Sequence, residues 1–121
     1  MKRILLLLIF ISFHSIANFS GHWVKENDSQ SLTLDLDEDG AHLVGKYCFI
    51  TNDGNRIDCS EGNDRNINGI IKDNVGIVDF ESTFGGIGQA TISIKKNVLK
   101  YTITNPTPFV NANMSVPNVI F

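Results

Sequence analysis

The chain has 121 residues, with 13 acidic against 10 basic side chains and a formal net charge of −3 at neutral pH. This length suits one domain with one hydrophobic core. Because the lysines and arginines are scattered along an acidic sequence, no basic cluster favours nucleic acid as a partner.

The first 17 residues have the layout of a secretory signal peptide. Lys2 and Arg3 precede an apolar run at positions 4–13, and small residues at 15–17 fit a cleavage site. The apolar run is shorter than a membrane-spanning helix needs, and no later run is long enough. We therefore expect a periplasmic or secreted protein that loses residues 1–17 and makes no membrane insertion afterwards.

Residues 18–104 show strand patterns and turn residues without a sustained helical period. Leu32, Leu34 and Leu36 alternate with polar residues, as in a strand with one buried face. Later runs rich in β-branched and aromatic residues are separated by Gly, Asn and Asp clusters typical of turns. The pattern predicts an all-β domain, an antiparallel meander of about seven or eight short strands closed into a small barrel or half-barrel. The Pro- and Asn-rich residues 105–121 are predicted to be a tail or an edge strand.

Two-residue turns predict the register of three hairpins, because such turns determine which residues face each other. The turns at 39–40, 73–74 and 96–97 place Leu36 opposite Leu43, Ile70 opposite Ile77 and Ile92 opposite Tyr101, respectively. In the hairpin at 96–97 the apolar side chains fall on one face and the polar side chains on the other. We predict a core that contains Trp23, Leu32, Leu34, Leu36, Leu43, Ile92, Ile94, Leu99, Tyr101 and Ile103.

Both cysteines lie in one short segment, Tyr47–Cys59. A turn centred on Asp53-Gly54 places Cys48 directly opposite Cys59. Opposed residues on antiparallel strands are roughly 4.5–5.5 Å apart, which suits a disulfide, and export would bring the chain into an oxidising compartment. A reactive or metal-binding pair is the alternative, but it would need CxxC spacing or a second pair of ligands. We therefore predict a Cys48–Cys59 disulfide.

No motif typical of an enzyme, a metal site or a cofactor site stands out. His22 and His42 have no ligand or nucleophile at a useful spacing. Residues 35–40 match the front half of a calcium loop, but Lys46 stands where the loop needs a bidentate glutamate. The glycine-rich residues 85–88 precede a strand, whereas a phosphate-binding loop precedes a helix. We therefore predict a non-catalytic protein without a cofactor or a metal.

Two segments offer a surface for binding another protein. Asp53, Asn55, Arg56 and Asp58 lie near the tip of a hairpin that the disulfide would hold rigid, and a rigid tip loses less entropy on binding. Phe84 lies beside glycines and is predicted to be an exposed recognition residue. Arg56 supports the same prediction, because arginine is frequent at binding hot spots. We predict a binding protein that recognises another protein, as inhibitors and immunity proteins do.

The mature chain would begin with FSGHW, Phe19–Trp23. Its Gly21-x-Trp23 resembles the first-strand motif of lipocalins and related calycin barrels. In that family the tryptophan closes one end of an up-and-down β-barrel that encloses a small apolar ligand, so the resemblance implies a carrier of such a ligand as the alternative function. The chain also resembles small exported bacterial proteins of uncharacterised function, through Gly21–Trp23, Tyr47-Cys48, Gly54–Cys59 and Ser82–Gly86.

Overall fold

The structure, a computed structural model, describes residues 18–108 and 118–121. The predicted signal peptide therefore lies outside the described residues. The described chain forms a short 3₁₀ turn at Asn52–Gly54 and nine strands. The strands are β1 Gly21–Glu26, β2 Ser31–Asp39, β3 His42–Thr51, β4 Arg56–Cys59, β5 Ile67–Lys72, β6 Val75–Glu81, β7 Ile87–Lys95, β8 Val98–Asn105 and β9 Asn118–Ile120.

The strands form one antiparallel sheet in the order β1-β2-β3-β5-β6-β7-β8-β9, and β4 pairs with β3 outside this path. The sheet curls until it is nearly closed into a barrel. Buried side chains near both of its edges, Phe19 before β1 and Val119 in β9, therefore belong to the same core. The prediction of an all-β antiparallel barrel is confirmed.

Strand β3 has two different neighbours on one side. Its first part, His42–Gly45, pairs with β5, and its last part, Cys48–Thr51, pairs with β4. The β3–β4 hairpin therefore occupies the place along β3 into which β5 would otherwise continue. Cys48 faces Cys59 with the Cα atoms 4.2 Å apart, and the two are joined by a disulfide, as predicted. Such a bond is compatible with an oxidising compartment.

Two of the three predicted hairpin registers are confirmed, and the third is wrong by two residues. Ile70 faces Ile77, and Ile92 faces Tyr101. Leu36, however, faces Gly45 rather than Leu43, because the turn is at Gly40-Ala41 and not at Asp39-Gly40.

The physical reason for that difference is the position of the glycine in the turn. Gly40 has φ 60° and Ala41 has no positive φ, so glycine occupies the first central position, as in a type II′ turn. His42 then pairs with Asp39. A shift of two residues leaves every side chain on its original face, so the leucines of β2 still point inward.

The core contains most of the predicted residues and several others. Of the predicted set, Trp23, Ile94 and Ile103 are only partly buried. The predicted core omits eight side chains that are buried in the structure. They are Phe19, Tyr47, Phe49, Ile67, Val78, Phe80, Ala90 and Val119. Aromatic rings account for much of the interior, since the ring centroid of Tyr47 lies 4.9 Å from that of Phe49 and 6.0 Å from that of Phe80. Tyr101 contacts Phe49 edge to face, with the centroids 5.6 Å apart.

The described end of the predicted tail is an edge strand. β9 pairs with β8, and the Phe121 amide donates to the Leu99 carbonyl oxygen at 2.8 Å. Residues 109–117 of the tail lie outside the described residues. Within 18–108 and 118–121, no helix has the length and apolar character needed to cross a membrane.

Candidate functional site

The β3–β4 hairpin and the β6–β7 loop meet beside each other in the fold. We call Asp53, Asn55, Arg56, Ile57 and Phe84 the tip surface. Ile57 is 56% exposed and Phe84 is 37% exposed, so both apolar side chains are accessible to a partner. The two segments are far apart in sequence, so only the tertiary structure brings this surface together.

Arg56 and Phe84 connect the two segments directly. The guanidinium carbon of Arg56 lies 5.0 Å from the centre of the Phe84 ring, within the range of a cation–π interaction. Gly85 and Gly86, which follow the phenylalanine, have φ of 95° and 94°, a region that favours glycine. This backbone turns the loop sharply just after Phe84 presents its ring. The predicted binding residues Arg56 and Phe84 are therefore in contact.

Asp58 lies inside the fold rather than on the tip surface. It is 6% exposed, and its Oδ2 atom accepts from the Ser82 hydroxyl at 2.9 Å and from the Tyr47 hydroxyl at 3.0 Å. Its Oδ1 atom accepts from the backbone amide of Thr83 at 2.9 Å and from its hydroxyl at 3.1 Å. Asp58 was predicted to contact a partner, but in the structure its carboxylate accepts from four donors of its own chain.

The hydrogen bonds of Asp58 hold the tip surface in position. Ser82, which donates to Asp58, also accepts from the backbone amide of Phe84 at 3.1 Å. The carboxylate is therefore linked through one serine to the backbone that presents the phenylalanine. On the other side of the hairpin, the Asp53 amide donates to the Ser29 carbonyl oxygen at 3.1 Å. These contacts attach the tip to the β6–β7 loop and to the β1–β2 loop, and the disulfide joins the two strands of the hairpin.

Asn66 fills the gap between the end of β4 and the start of β5. Its side chain accepts from the Tyr47 amide at 2.7 Å and donates to the Tyr47 carbonyl oxygen at 3.0 Å, so it replaces a neighbouring strand at this point of β3. Four residues of the site were not predicted from the sequence: Asn66, Tyr47, Ser82 and Thr83. For Tyr47, alternation with buried Phe49 was a usable signal, but nothing in the sequence indicated the other three.

The carboxylate of Asp58 contributes to the raised pKa values of two buried tyrosines, Tyr47 and Tyr101. Burial, followed by the negative charge of Asp58 and the hydrogen bond to it, raises the pKa of Tyr47 far above the ordinary tyrosine value. Burial, followed by the charge of Asp58, raises the pKa of Tyr101 in the same direction. Both phenols are therefore held in their neutral form by the fold.

We expect alkaline pH to unfold the protein through these tyrosines. The native pKa values are raised, so the stabilisation is complete below the unfolded-state pKa near 10 and is lost as pH rises above it. The free energy of unfolding should fall by about 1.4 kcal/mol per pH unit for each such tyrosine. Urea unfolding across the alkaline range measures this slope. Tyrosinate absorbance that developed near pH 10 in a still folded protein would contradict the prediction.

A second polar area lies on the outer face of β1, β2 and β3. It is a groove of about 540 Å³, in which Asp35 pairs with His22 and Asp37 accepts from Arg65 at 3.0 Å. The two aspartates that resemble the front half of a calcium loop thus each face a basic side chain. Among residues 18–108 and 118–121, no three potential ligands converge on a point that could hold a metal ion.

Comparisons of the chain with protein-family models, curated proteins and solved structures gave no match. The resemblance of Gly21-x-Trp23 to the lipocalin motif therefore remains a prediction. Trp23 is half-buried against the core, and its Nε1 atom donates to the Phe19 carbonyl oxygen at 3.2 Å. Because no relative suggests a role, the functional argument depends on the geometry of the site alone.

Proposed function

We propose that this protein is an exported, non-catalytic binding protein that recognises another protein through the tip surface. The observation that carries the proposal is the combination of Arg56, Ile57 and Phe84 on a support held by the disulfide and by Asp58. Arginine and aromatic side chains are frequent among binding hot spots. A surface already held in one conformation loses little entropy when a partner binds.

The packing of the interior favours this proposal over the carrier of a small apolar ligand. A carrier needs space between the inward faces of the strands, and an eight-stranded barrel has room for side chains or for one small ligand. Here the rings of Tyr47, Phe49, Phe80 and Tyr101 pack against one another on the inward faces. The apolar side chains that remain accessible, such as Ile57 and Phe84, lie on the outer surface of the barrel, where a protein partner could contact them.

The charge of the chain suggests the character of the partner. Removal of Lys2 and Arg3 with the signal peptide would change the formal charge from −3 to −5. An acidic protein attracts a basic partner, so association should slow as salt is raised. The export that the proposal assumes agrees with the Cys48–Cys59 disulfide, which oxidising compartments preserve.

The experiment begins with a photo-crosslinking residue placed at position 57 or, as a control, at position 77. Ile57 and Ile77 are both exposed, at 56% and 45%, but only Ile57 belongs to the tip surface. Exported proteins from the source should give a defined adduct with the probe at 57 and none with the probe at 77.

The affinities of two variants for the captured protein then test whether the tip surface is the binding site. We expect Ile57→Glu to weaken binding by about 10-fold or more, since hot-spot truncations cost well over 1 kcal/mol. Ile77→Glu introduces the same charge and should change the affinity by less than about 2-fold. Equal losses in the two variants, or no adduct from either position, would refute the tip surface as the binding site.

A further inference from the structure

The lysines that are scattered in the sequence come together on one outer face of the barrel. Four of the six lysines after residue 17 lie on β5, on β7, in the turn between β7 and β8, or on β8. They are Lys72, Lys95, Lys96 and Lys100. We call these four, with the neighbouring Val98 and Ile120, the lysine face.

The register of the strands shows how this face is built. Lys72 pairs with Val75, which pairs with Ser93, and Ser93 pairs with Lys100. Lys100 in turn pairs with Ile120 on the edge strand. One row of side chains therefore crosses five neighbouring strands, from β5 to β9. Lys72 lies at one end of this row, and Lys100 lies next to its other end. In the adjacent row, Lys95 faces Val98.

None of the four ammonium groups forms an ion pair with a carboxylate of the described residues. The ion pairs among residues 18–108 and 118–121 are His22–Asp35 and Arg65–Asp37, and neither involves the lysine face. The nearest acidic residue in the register is Asp73, in the turn after Lys72. Six other acidic residues lie between positions 26 and 39, on or next to β1 and β2, and β3 separates these two strands from β5, which carries Lys72.

Exposed aliphatic side chains lie between the lysines. Val98 is 45% exposed and Ile120 is 56% exposed. They line a groove of about 390 Å³ together with Ser93, Lys95, Lys96 and Lys100. Cations flanking exposed aliphatic groups are the arrangement found where proteins rest on the interface of an anionic bilayer. Lysine suits this location because its long alkyl stem can lie along apolar surface while the ammonium group stays in water.

We propose that the lysine face docks the protein peripherally on an anionic phospholipid surface. The ammonium groups lie at the level of the lipid phosphates, and Val98 and Ile120 enter the boundary between headgroups and acyl chains. A soluble phosphate polymer would attract the lysines equally but would leave both aliphatic side chains in water. The lysine face is separate from the tip surface, so this proposal is independent of the partner-binding function.

Co-sedimentation with lipid vesicles tests the proposal. The oxidised protein should bind vesicles of phosphatidylcholine mixed with phosphatidylglycerol, and should bind pure phosphatidylcholine weakly. Binding should fall as salt is raised, because the screening length shrinks from about 10 Å at 0.1 M to about 3 Å at 1 M ionic strength. Lys95→Gln combined with Lys100→Gln should lower the partition coefficient by about 25-fold, since each lysine near such a surface contributes about 5-fold.

The matched control replaces two lysines outside this face, Lys25→Gln combined with Lys46→Gln. It changes the net charge by the same amount and should lower the partition coefficient far less. Equal effects of the two double variants, or equal binding to neutral and anionic vesicles, would overturn the proposal. Sedimentation velocity without vesicles gives a further check. Self-association that requires Lys95 and Lys100 would assign the face to the acidic strands of a second copy, and would overturn it as well.

Discussion

Replacement of Asp58 by alanine is expected to lower the free energy of unfolding by about 3 kcal/mol. Asp58 accepts four hydrogen bonds in a buried position, and the truncation leaves some of these donors without a partner. An unsatisfied buried donor costs about 1–3 kcal/mol. Since small domains are stable by only about 5–15 kcal/mol, this would be a large fraction of the total.

The four donors are not equally affected by the loss of Asp58. The hydroxyl of Tyr47 is also 3.0 Å from the Glu81 carbonyl oxygen, and the hydroxyl of Thr83 is 3.3 Å from the Ile57 carbonyl oxygen. Both can turn to these other acceptors. The backbone amide of Thr83 has no such alternative among its described contacts, and the Ser82 hydroxyl loses the acceptor that positions it. The cost therefore falls mainly on the β6–β7 loop.

Urea unfolding of three variants measures the effect. Asp58→Asn keeps the size of the side chain but replaces one acceptor with a donor, so we expect it to fall between the wild type and Asp58→Ala. Asn55→Ala, on the exposed part of the same hairpin at a position with an ordinary φ of −76°, should change the stability by less than about 0.5 kcal/mol. If Asp58→Ala were as stable as Asn55→Ala, the carboxylate would not be what holds the hairpin to the barrel.

Removal of the disulfide is expected to have the second largest effect. Cys48→Ala combined with Cys59→Ala should lower the free energy of unfolding by about 2–3 kcal/mol, as expected from the sequence separation of 11 residues. In the chain-entropy account, the bond acts by restricting the unfolded chain. The unfolded variant would then expose more surface, so the urea m-value should rise along with the loss of stability.

The disulfide and the Asp58 hydrogen bonds hold the same hairpin, so their losses should not be additive. Once the disulfide is absent, local opening of β4 already costs less, and Asp58→Ala should then remove less stability than it does in the wild type. Urea unfolding of the triple variant completes this cycle. Strict additivity would indicate that the two links act on separate parts of the structure. Reduction of the wild-type protein provides a control without mutation, because it should reproduce the loss seen in the double alanine variant.

Local patterns were sufficient for most of the contacts that join strands through a short turn. The hairpins at 73–74 and 96–97, and the pairing of Cys48 with Cys59, follow from turn chemistry and alternation within about a dozen residues. The turn after β2 is different, because Asp39-Gly40 and Gly40-Ala41 both offer glycine to a two-residue turn. The two registers bury the same face, so hydrophobic alternation cannot distinguish them.

Asp58 shows why the candidate site was only partly predictable. In the sequence it is a polar residue near the tip of a polar hairpin, and solvent exposure is the ordinary expectation for an aspartate. Its burial is compensated by donors from Ser82 and Thr83, which are 24 and 25 residues away along the chain. No local pattern indicates such a partner. The contact between Arg56 and Phe84 depends on the same approach of the two segments.

The amino-acid sequence alone determined the all-β architecture, the disulfide and the inward face of most strands, because each depends on alternation and turn residues that act over short distances. The closing of the sheet decided which distant segments became neighbours. It turned one predicted surface residue into the centre of a buried hydrogen-bond network, and it gathered four lysines from three strands and one turn onto one face. Charge and hydrogen bonding act through space, so their arrangement becomes visible only when the strands are placed side by side.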